Sequence, residues 1–374
     1  MKIGFDAKRL FNNFTGLGNY SRSLVDGLNT FFPNNKYYLF TSKKQNTPDT
    51  KDFLNAKYKI ITPQNNFKNI WRSATCTKDI NSLELDIYHG LSNELPFGIK
   101  KTKVKSIVTI HDLIYKTYPN DFKYIDRKIY DYKFRYACNN ADKIIAVSES
   151  TKKDIIDIYN ISPKKIDVVY QSCHKIFKNS LTEETINKIL RHYNIPNNFI
   201  LYVGSIIKRK NLLGLVKAIN KIKDQIDIPL VVIGKGKKYE QEIKTYISEN
   251  KLEKLVIFSQ VAYLDLPAIY QRASVFIYPS VYEGFGIPII ESLWSKTPVI
   301  TTNTSSLPEA AGNSSYFCNT NDNNSIADGI LKILNDKDIA NKMIQDGLEY
   351  VQKFENKNNA KKLMDIYTNL LNNI

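Results

Sequence analysis

Several common sources of catalytic or structural chemistry are missing from this sequence of 374 residues. Its four cysteines are widely scattered and form no CxxC pair, which argues against a structural zinc site and a disulfide framework. No HExxH, GxSxG, GKS or GKT pattern occurs. This argues against a hydrolase with an activated serine or cysteine, and it also argues against a dedicated metal site. No apolar stretch approaches the roughly 20 residues that a membrane-spanning helix needs, and the start turns polar too soon for a secretory signal. We therefore expect a reduced, cytoplasmic protein.

Acidic residues are in the minority. Lys and Arg total 53 against 37 Asp and Glu, which gives a formal net charge of +16. Residues 1–175 hold 29 basic and 17 acidic residues, so most of the excess lies in the first half. A basic surface attracts phosphates, anionic lipids or nucleic acid, and the alternative is a lysine-rich surface that only confers solubility. The 43% apolar content is globular, and the length suits about two domains.

Short β-branched runs alternate with amphipathic stretches along the whole chain, which predicts parallel sheets with helices on both faces. The predicted strands are 2–5, 37–40, 58–61, 104–110, 143–147 and 167–170 in the first half, and 199–203, 230–233, 255–258, 274–278 and 298–301 in the second. The alternation restarts after a polar segment near 171–180. We therefore predict two Rossmann-like domains facing each other across a cleft, residues 1–175 and 176–355, with a helix at 356–374 that crosses back to the first domain.

The segment SVYEGFGIPIIESLWS, residues 280–295, carries the strongest motif. Gly284 and Gly286 free the loop to bring backbone N–H groups close to a ligand, and Pro288 suits the first turn of a helix, whose N-terminus favours an anion. Glu283 and Glu291 flank this loop, and carboxylates accept hydrogen bonds from the paired hydroxyls of sugars or ribose. The alternative is an ordinary helix start with two solvated glutamates.

The segment YVGSIIKRKN, residues 202–211, is the second motif. A predicted strand ends at Gly204, and Lys208, Arg209 and Lys210 crowd the connection that follows it. Such cations can neutralise a diphosphate, and a guanidinium can do so in bidentate fashion. The alternative is an exposed basic turn.

Two motifs of the first half are less specific. Gly16 and Gly18 lie in a predicted loop between a strand and a helix, but their spacing is not GxGxxG. His111 follows the buried run 104–110 and should emerge at the carboxyl end of a central strand, while His89 occupies a similar position. A histidine satisfied within the core is the alternative interpretation.

Taken together, EGFGIPIIE, YVGSIIKRKN, TIHDLIY and TGLGNY resemble the retaining GT-B glycosyltransferases of family GT4, the glycosyl transferases group 1, over most of the chain. The resemblance implies the GT-B fold and a nucleotide-diphosphate sugar as donor substrate, with no cofactor and no metal. It further implies transfer of a hexose of mannose or glucose type to a saccharide or lipid-linked saccharide acceptor, in cell-envelope polysaccharide synthesis. GDP-mannose and UDP-hexoses are both open as donors.

The resemblance assigns roles to the glycine-rich loop and its helix. Glu291 would accept hydrogen bonds from the ribose hydroxyls. Glu283, together with the backbone of Phe285, Gly286 and Ile287, would face the donor sugar and the phosphates.

The resemblance also assigns roles to the basic segment. Arg209 and Lys210 would neutralise the diphosphate as it leaves, and fixed cations at that position stabilise charge that grows in the transition state. Many members of the family have arginine directly after the glycine of this strand. This chain has Ser205 there, which we place among the donor-binding residues, and Arg209 would take over the role of that arginine.

In the first domain, the resemblance implies that Gly16 and Gly18 close on the diphosphate and that His111 contacts the donor sugar near its 6-position. Residues 121–140 mix Lys, Arg, Tyr and Phe at helical spacing. This segment could rest on an anionic membrane and meet a lipid-linked acceptor, or it could be an ordinary amphipathic helix with a basic solvent face. In the first case the enzyme would be peripheral at the inner face of the plasma membrane.

Two other function classes compete with the transferase hypothesis. A sugar-nucleotide epimerase or an NAD-dependent oxidoreductase would also use a Rossmann fold, although the missing GxGxxG argues against the oxidoreductase. A nucleic-acid-binding protein would suit the net charge, but the sequence has no helix-turn-helix, zinc finger or RNP-like aromatic motif, so we expect no nucleic-acid partner.

Overall fold

The computed structural model describes residues 1–64 and 70–372, which form two α/β units. Unit 1 comprises Met1–Ser172 together with the C-terminal segment that begins at Phe354, and unit 2 comprises Cys173–Lys353. Each unit is built on one parallel sheet, so the predicted fold class of two Rossmann-like sheets is confirmed.

Unit 1 holds a sheet of seven parallel strands in the order β3-β2-β1-β4-β5-β6-β7. The strands are β1 (Lys2–Asp6), β2 (Lys36–Phe40), β3 (Tyr58–Ile61), β4 (Ile87–Gly90), β5 (Lys105–Ile110), β6 (Lys143–Ala146) and β7 (Ile166–Val168). The strand order reverses between β1 and β4, where doubly wound sheets open a crevice at the carboxyl ends of their strands. Strand β4 is absent from the sequence prediction because it is only four residues long and carries a histidine in place of a third apolar residue.

Helices cover both faces of this sheet. They are Lys8–Asn12, Gly16–Phe31, Cys76–Ser82, Ile114–Thr117, Tyr124–Asn140, Glu149–Tyr159 and Asn356–Asn372. The last helix packs beside Gly16–Phe31, and its Leu363, Met364 and Tyr367 join the apolar core under β1 and β2. The burial of these side chains ties the C-terminal segment to unit 1, because it removes apolar surface from water.

Unit 2 holds a sheet of six parallel strands in the order β10-β9-β8-β11-β12-β13. The strands are β8 (Ile200–Val203), β9 (Leu230–Ile233), β10 (Val256–Ser259), β11 (Val275–Tyr278), β12 (Val299–Thr302) and β13 (Tyr316–Cys318). The helices are Glu183–His192, Leu212–Lys221, Lys238–Glu249, Leu266–Arg272, Ile287–Trp294, Leu307–Ala311, Asn323–Asn335 and Lys337–Val351. Strands β8 to β12 are apolar on both faces, as expected of buried parallel strands, and this explains why the sequence predicts all five.

The predicted loop around Gly16 and Gly18 is wrong in one respect, because the helix already begins at Gly16. The side chain of Asn13 explains the early start: its Oδ1 accepts the backbone N–H groups of Thr15 and Gly18, each at 3.0 Å. A Cβ on Gly18 would lie only 1.7 Å from the carbonyl oxygen of Asn13. Gly18 therefore serves a close backbone approach within the first helical turn.

Candidate functional site

Two loops of unit 2 meet at the carboxyl ends of the neighbouring strands β8 and β11. One loop carries the single turn Lys208–Lys210 after β8, and the other runs from Pro279 to Gly286 after β11. The backbone of Val281 donates a hydrogen bond of 2.8 Å to the carbonyl oxygen of Arg209, and the Ser280 hydroxyl oxygen lies 3.3 Å from the same oxygen. The two strongest sequence motifs thus lie side by side at the edge of the sheet where ligands of such folds bind.

The carboxylate of Glu283 is the centre of this loop pair. Its Oε1 lies 3.1 Å from the Arg209 guanidinium and also forms an ion pair with the Lys210 ammonium. The hydroxyl of Tyr278 donates to it at 3.2 Å, and the hydroxyl of Ser280 donates to it as well. The side chains of Arg209 and Lys210 are only 10% and 12% exposed, so neither points into bulk water.

The electrostatics of this cluster leave it with a positive charge. Burial alone would raise the pKa of Glu283, but the Lys210 ammonium, the Arg209 guanidinium and the hydrogen bonds together hold it below its usual range. Burial and the Glu283 charge raise the pKa of the Tyr278 hydroxyl well above its ordinary value, so that hydroxyl is neutral. Two cations and one carboxylate give a formal net charge of one positive unit. The arrangement can therefore attract an anion although each cation already has a partner.

The other glutamate of the motif, Glu291, has a different environment. It lies on the helix Ile287–Trp294 and accepts hydrogen bonds from the hydroxyls of Tyr263 at 3.4 Å and Tyr270 at 3.3 Å. Burial raises the pKa of Glu291 to about 8, and the two tyrosine hydrogen bonds lower it only in part. At neutral pH this carboxyl group is therefore largely protonated, whereas Glu283 is ionised.

The start of the helix Ile287–Trp294 is fixed by its neighbours. Gly286 has a φ of +122°, which side chains other than glycine rarely allow, and a Cβ there would lie 3.3 Å from Ala310. Pro288 occupies the first turn, where its missing N–H is no loss. The hydroxyl of Ser306 donates to the carbonyl oxygens of Glu283 and Phe285, both at 2.9 Å.

The contacts of Gly286 and Ser306 hold the loop in place, and they therefore determine which atoms of the loop can face a ligand. The ring of Phe285 is buried, whereas Ile287 is half-buried and opens the helix. Ser205 is exposed in the loop after β8, where its carbonyl oxygen accepts the hydroxyl of Tyr202 at 3.2 Å. The donor-binding roles that the resemblance implies for Phe285, Gly286, Ile287 and Ser205 stay predictions.

In unit 1, His111 directly follows β5, as the sequence predicts, and both of its ring nitrogens already have protein partners. Nε2 lies 2.8 Å from the carbonyl oxygen of Leu91 and must donate to it, because a carbonyl oxygen only accepts. Nδ1 then accepts from the amide of Gln171 at 3.0 Å. Burial lowers the pKa of His111 to about 4, so the ring is neutral. Its predicted contact with the donor sugar stays a prediction.

A second buried histidine lies in the middle of the unit 1 sheet. His89 Nδ1 is 2.6 Å from the hydroxyl of Tyr367, and Nε2 is 2.8 Å from the hydroxyl of Thr109. The hydroxyl of Thr109 is 3.0 Å from that of Tyr20, whose ring packs edge-on against His111 with centroids 4.7 Å apart. Burial lowers the pKa of His89 to about 3. This neutral network joins the C-terminal helix to the site of His111.

A charged cluster in unit 1 was missed by sequence reasoning. Arg72 forms ion pairs with Asp6 at 2.6 Å and with Glu94 at 2.8 Å, and Lys133 pairs with Glu94 at 3.1 Å. Asp6 ends β1 at the same edge of the sheet at which His111 follows β5. No sequence motif joins these four positions, because they are far apart along the chain and meet only in the fold. Two cations and two carboxylates leave the cluster without net charge.

Two structural features are absent from residues 1–64 and 70–372, the part of the chain that the structure describes. Within these ranges, no group of three or more His, Cys, Asp or Glu side chains is arranged to hold a metal ion. Within the same ranges, no helix is both long enough and apolar enough to cross a membrane.

Comparisons with known proteins place the chain in a family. The family model of the glycosyl transferases group 1 matches residues 183–350, and the model of Glycosyltransferase Family 4 matches residues 15–172. Together these matches cover most of both units. The chain belongs to the GT4 family of glycosyltransferases, the glycosyl transferases group 1. It is therefore a glycosyltransferase, which decides against the oxidoreductase, epimerase and nucleic-acid-binding alternatives.

Particular proteins resemble the chain over its full length. It is 25% identical over 398 residues to "O-antigen chain mannosyltransferase B" of Escherichia coli, with 98% of this chain and 99% of that protein covered. A glycosyltransferase structure from Rickettsia africae ESF-5 superposes with a TM-score of 0.78 at 20% identity, covering 100% of this chain and 99% of the other. Anabaena Alr3699/HepE in complex with UDP and glucose superposes with a TM-score of 0.76 at 15% identity, covering 98% and 99%. These superpositions confirm the GT-B fold.

Proposed function

We propose that this glycosyltransferase moves a hexose from a nucleotide-diphosphate sugar to a saccharide or lipid-linked saccharide, with retention of the anomeric configuration. The observation that carries this proposal is the cluster of Glu283, Arg209 and Lys210 beside the N-terminus of the helix Ile287–Trp294. Both features favour an anion at the carboxyl ends of β8 and β11. A diphosphate bound there would leave with more negative charge than it carries in the donor.

In this proposal Arg209 and Lys210 act on the leaving group. Cations that are already in place when charge develops stabilise the transition state more than the ground state, and they need no reorganisation at that moment. Glu283 holds both cations by ion pairs within the loop pair, so the two positive groups do not have to be ordered by the substrate. Because they supply the charge that a divalent ion would otherwise provide, we propose a reaction without a metal.

The contacts of the Glu283 carboxylate also indicate the role of Glu283 itself. Its Oε1 contacts both cations and accepts hydrogen bonds from the hydroxyls of Tyr278 and Ser280, which holds the carboxylate beside the two cations. These contacts support a role for Glu283 as an electrostatic and positioning group. We propose, as the family resemblance implies, retention by attack from the leaving-group face without a protein nucleophile.

We assign ribose recognition to Glu291. Two tyrosine hydroxyls already donate to its carboxyl group, and a ribose diol would add two more donors. The ionised form accepts more hydrogen bonds than the protonated form. Donor binding should therefore favour release of the proton that Glu291 holds at neutral pH.

The names of two similar proteins favour particular sugars as the donor substrate. The E. coli relative is named a mannosyltransferase of the O-antigen chain, and HepE was crystallised with UDP and glucose. We propose a mannosyl donor first and a glucosyl donor second, with a role in cell-envelope polysaccharide synthesis. The predicted donor contacts of Gly16, Gly18 and His111 remain part of this proposal.

Incubation with a panel of nucleotide sugars, with nucleotide release as the readout, tests the function. Wild-type enzyme should release nucleotide from GDP-mannose or from a UDP-hexose in the presence of a saccharide acceptor, with EDTA present throughout. Lys210→Ala should abolish most of this release, whereas Lys208→Ala should retain it. Lys208 is a matched control because it is an exposed lysine of the same turn. Release that depends on added divalent ions would overturn the metal-free part of the proposal.

We further propose that unit 1 rests on an anionic membrane through the helix Tyr124–Asn140. The side chains of Ile125, Ile129 and Tyr132 are 71%, 45% and 66% exposed, and their i, i+4, i+7 spacing places them on one stripe of the helix. The large apolar residues of the protein are mostly buried, so this exposed stripe needs an explanation.

Basic groups lie directly beside the apolar stripe. An open groove of about 280 Å³ is lined by Tyr124, Arg127 and Lys128 and by Lys116 and Asp131, which form an ion pair of 2.8 Å, among others. The Nε atom of Arg127 is buried without a hydrogen-bond partner among the residues that the structure describes. Apolar side chains that enter a bilayer beside cations that meet lipid phosphates are typical of peripheral membrane helices. Such docking would place the enzyme at the inner face of the plasma membrane, where lipid-linked acceptors are found.

Cosedimentation with vesicles tests the membrane proposal. Binding should rise with the fraction of phosphatidylglycerol in phosphatidylcholine vesicles. The double variant Ile125→Ser/Ile129→Ser should weaken binding by about tenfold, since each isoleucine contributes apolar burial. Phe31→Ser is the matched control, because Phe31 is an exposed apolar residue of unit 1 outside the stripe. Equal binding to purely neutral vesicles would contradict the electrostatic part.

A further inference from the structure

The open groove of about 280 Å³ in unit 1 lies between the helix Tyr124–Asn140 and residues 115–119, which precede that helix in the chain. The helix contributes Tyr124, Arg127, Lys128 and Asp131 to the lining. Their i, i+3, i+4, i+7 spacing places these four residues on one face of the first two helical turns. The groove therefore follows this face of the helix.

The groove and the exposed apolar stripe lie on neighbouring faces of the same helix. The stripe of Ile125, Ile129 and Tyr132 begins one residue after Tyr124, which begins the groove face. Successive residues of an α-helix are rotated by about 100°, because one turn takes 3.6 residues. When the stripe enters a bilayer, as proposed for this helix, the groove opens sideways from the stripe and can face the layer of lipid head groups.

Two cations in the groove lie around one aromatic ring. The Cζ atom of Arg127 and the Nζ atom of Lys128 are each 5.5 Å from the ring centre of Tyr124, a residue that is 64% exposed. Within residues 1–64 and 70–372, neither cation forms an ion pair with a carboxylate. Two like charges near one ring repel each other, so a bound anion would stabilise this arrangement.

The other charged groups of the groove compensate each other. Lys116 forms an ion pair of 2.8 Å with Asp131, and Arg135 lies 3.8 Å from the same carboxylate oxygen. Burial alone would raise the pKa of Asp131, but Lys116 and Arg135 help to hold it below its usual value, so the carboxylate is ionised. Three cations and one carboxylate leave the described lining with two positive units, those of Arg127 and Lys128.

The groove also lies near His111 along the chain. His111 directly follows β5, and the short helix Ile114–Thr117 comes next and contributes Tyr115 and Lys116 to the lining. The four residues from His111 to Tyr115 span at most about 14 Å even when fully extended. The groove is therefore within reach of the carboxyl ends of the unit 1 strands, where ligands of such sheets bind.

We propose that this groove binds the diphosphate of a lipid-linked acceptor and holds the acceptor at the membrane by that group. Each phosphate of a diphosphate that joins a lipid to a sugar carries one negative charge, which matches the two uncompensated cations. The Arg127 guanidinium can contact a phosphate in bidentate fashion, and the Lys128 ammonium can contact it as a point charge. The proposal rests on the membrane docking and lipid-linked acceptor of the proposed function, and it names the chemical group that unit 1 recognises.

Cosedimentation with two kinds of vesicle tests this recognition without any transfer reaction. Phosphatidylcholine vesicles carry either phosphatidylglycerol or diacylglycerol diphosphate, at fractions that give both kinds the same zeta potential. Wild-type protein should bind the diphosphate vesicles at least about tenfold more tightly. The readout is the ratio of the two affinities, because a general loss of positive charge weakens binding to both kinds of vesicle.

A matched pair of variants separates the groove from general attraction to a basic protein. Arg127→Gln/Lys128→Gln should lower the ratio to about one, because it removes both uncompensated cations. Lys153→Gln/Lys164→Gln removes the same amount of charge from exposed lysines of unit 1 outside the groove and should keep the ratio of wild type.

A third variant separates the groove from the diphosphate site proposed in unit 2. Arg209→Ala/Lys210→Ala should also keep the ratio of wild type. A ratio of about one in the wild-type protein, or an unchanged ratio in Arg127→Gln/Lys128→Gln, would overturn the groove proposal, while binding to phosphatidylglycerol vesicles would still support membrane docking. Binding to neither kind of vesicle would overturn membrane docking and the groove proposal together.

Discussion

The buried polar groups of the two units differ in their net charge. The cluster of Glu283, Arg209 and Lys210 in unit 2 holds one cation more than it holds carboxylates, whereas the cluster of Arg72 in unit 1 balances two cations against two carboxylates. In unit 2, Glu283 is ionised and pairs with Arg209 and Lys210. In unit 1, the network around His89 and His111 is neutral, because burial lowers the pKa values of both rings well below neutral pH. A charged cluster can act on a charged leaving group, whereas a neutral network can hold side chains in place and donate single hydrogen bonds. We therefore propose that unit 2 supplies the electrostatic part of catalysis.

The largest effect expected from this comparison is the loss of a cation in unit 2. Lys210→Ala should lower turnover by about 100- to 1,000-fold, the loss measured when one fixed group that stabilises transition-state charge is removed. Steady-state kinetics with a saturating nucleotide sugar measure it. The exposed neighbour Lys208→Ala should stay within about twofold of wild type. Similar losses in both variants would mean that general positive charge, and not the position of Lys210, matters.

The next effect concerns the carboxylate that holds the cations. Glu283→Gln removes the buried carboxylate that forms ion pairs with Arg209 and Lys210, and breaking a buried pair by removing one charge costs about 3–5 kcal/mol. Thermal unfolding should show a clearly lower Tm than wild type. Because Glu240 pairs with Lys244 on the surface, Glu240→Gln is a control whose Tm should hardly change. A wild-type Tm for Glu283→Gln would contradict the buried ion-pair description.

The raised pKa of Glu291 should make the stability of the protein depend on pH. Its folded-state pKa of about 8 lies above the ordinary value of 4.5, so the folded protein holds a proton that the unfolded chain releases. The stabilising contribution of this group is complete below about pH 4.5 and is lost as the pH rises through about 8. Glu291→Gln removes this titration. Its Tm relative to wild type should therefore increase between pH 5 and pH 8, as measured by scanning calorimetry over that range.

The proton held by Glu291 should also be released when the donor binds. If ribose hydroxyls favour the ionised form, wild-type protein releases protons when it binds the nucleotide at pH 7. Calorimetric titrations in buffers of different ionisation enthalpy measure this release. Glu291→Gln should bind more weakly and release fewer protons. An unchanged proton count in the variant would show that another group titrates.

The smallest effect lies in the neutral network of unit 1. Tyr367→Phe removes the hydroxyl that is 2.6 Å from His89 and leaves that ring nitrogen with one partner fewer. A buried group that loses its partner costs about 1–3 kcal/mol, so a modest loss of stability is expected by denaturant unfolding. Turnover should fall less than in Lys210→Ala. A larger loss of turnover would give unit 1 a more direct part in the chemistry than the comparison assigns.

Local patterns in the sequence account for much of what was predicted. Strands β8 to β12 are short apolar runs, and the run of cations at Arg209 and Lys210 and the glycine-rich loop each follow such a strand. Parallel topology then brings these segments to one edge of the sheet. Two strands were not predicted from the sequence, because their apolar patterns are too short: the three-residue strand β13 and the histidine-bearing strand β4.

Long-range contacts could not be predicted in the same way. The ion pairs of Arg72 with Asp6 and Glu94 join positions that no local periodicity relates. The opposite protonation states of Glu283 and Glu291 also depend on neighbours from other elements, cations in one case and tyrosines in the other. The early helix start at Gly16 depends on Asn13 Oδ1, which accepts the backbone N–H groups of Thr15 and Gly18, and spacing alone does not reveal these contacts.

The most direct test of the central claim is the affinity for the leaving group itself. Isothermal titration should show that wild-type protein binds GDP or UDP at least about tenfold more tightly than the corresponding nucleoside, because the diphosphate reaches the charged cluster. Arg209→Ala/Lys210→Ala should bind the nucleoside as wild type does and lose the preference for the diphosphate. A double variant that keeps the full preference would show that the diphosphate lies elsewhere and would contradict the account.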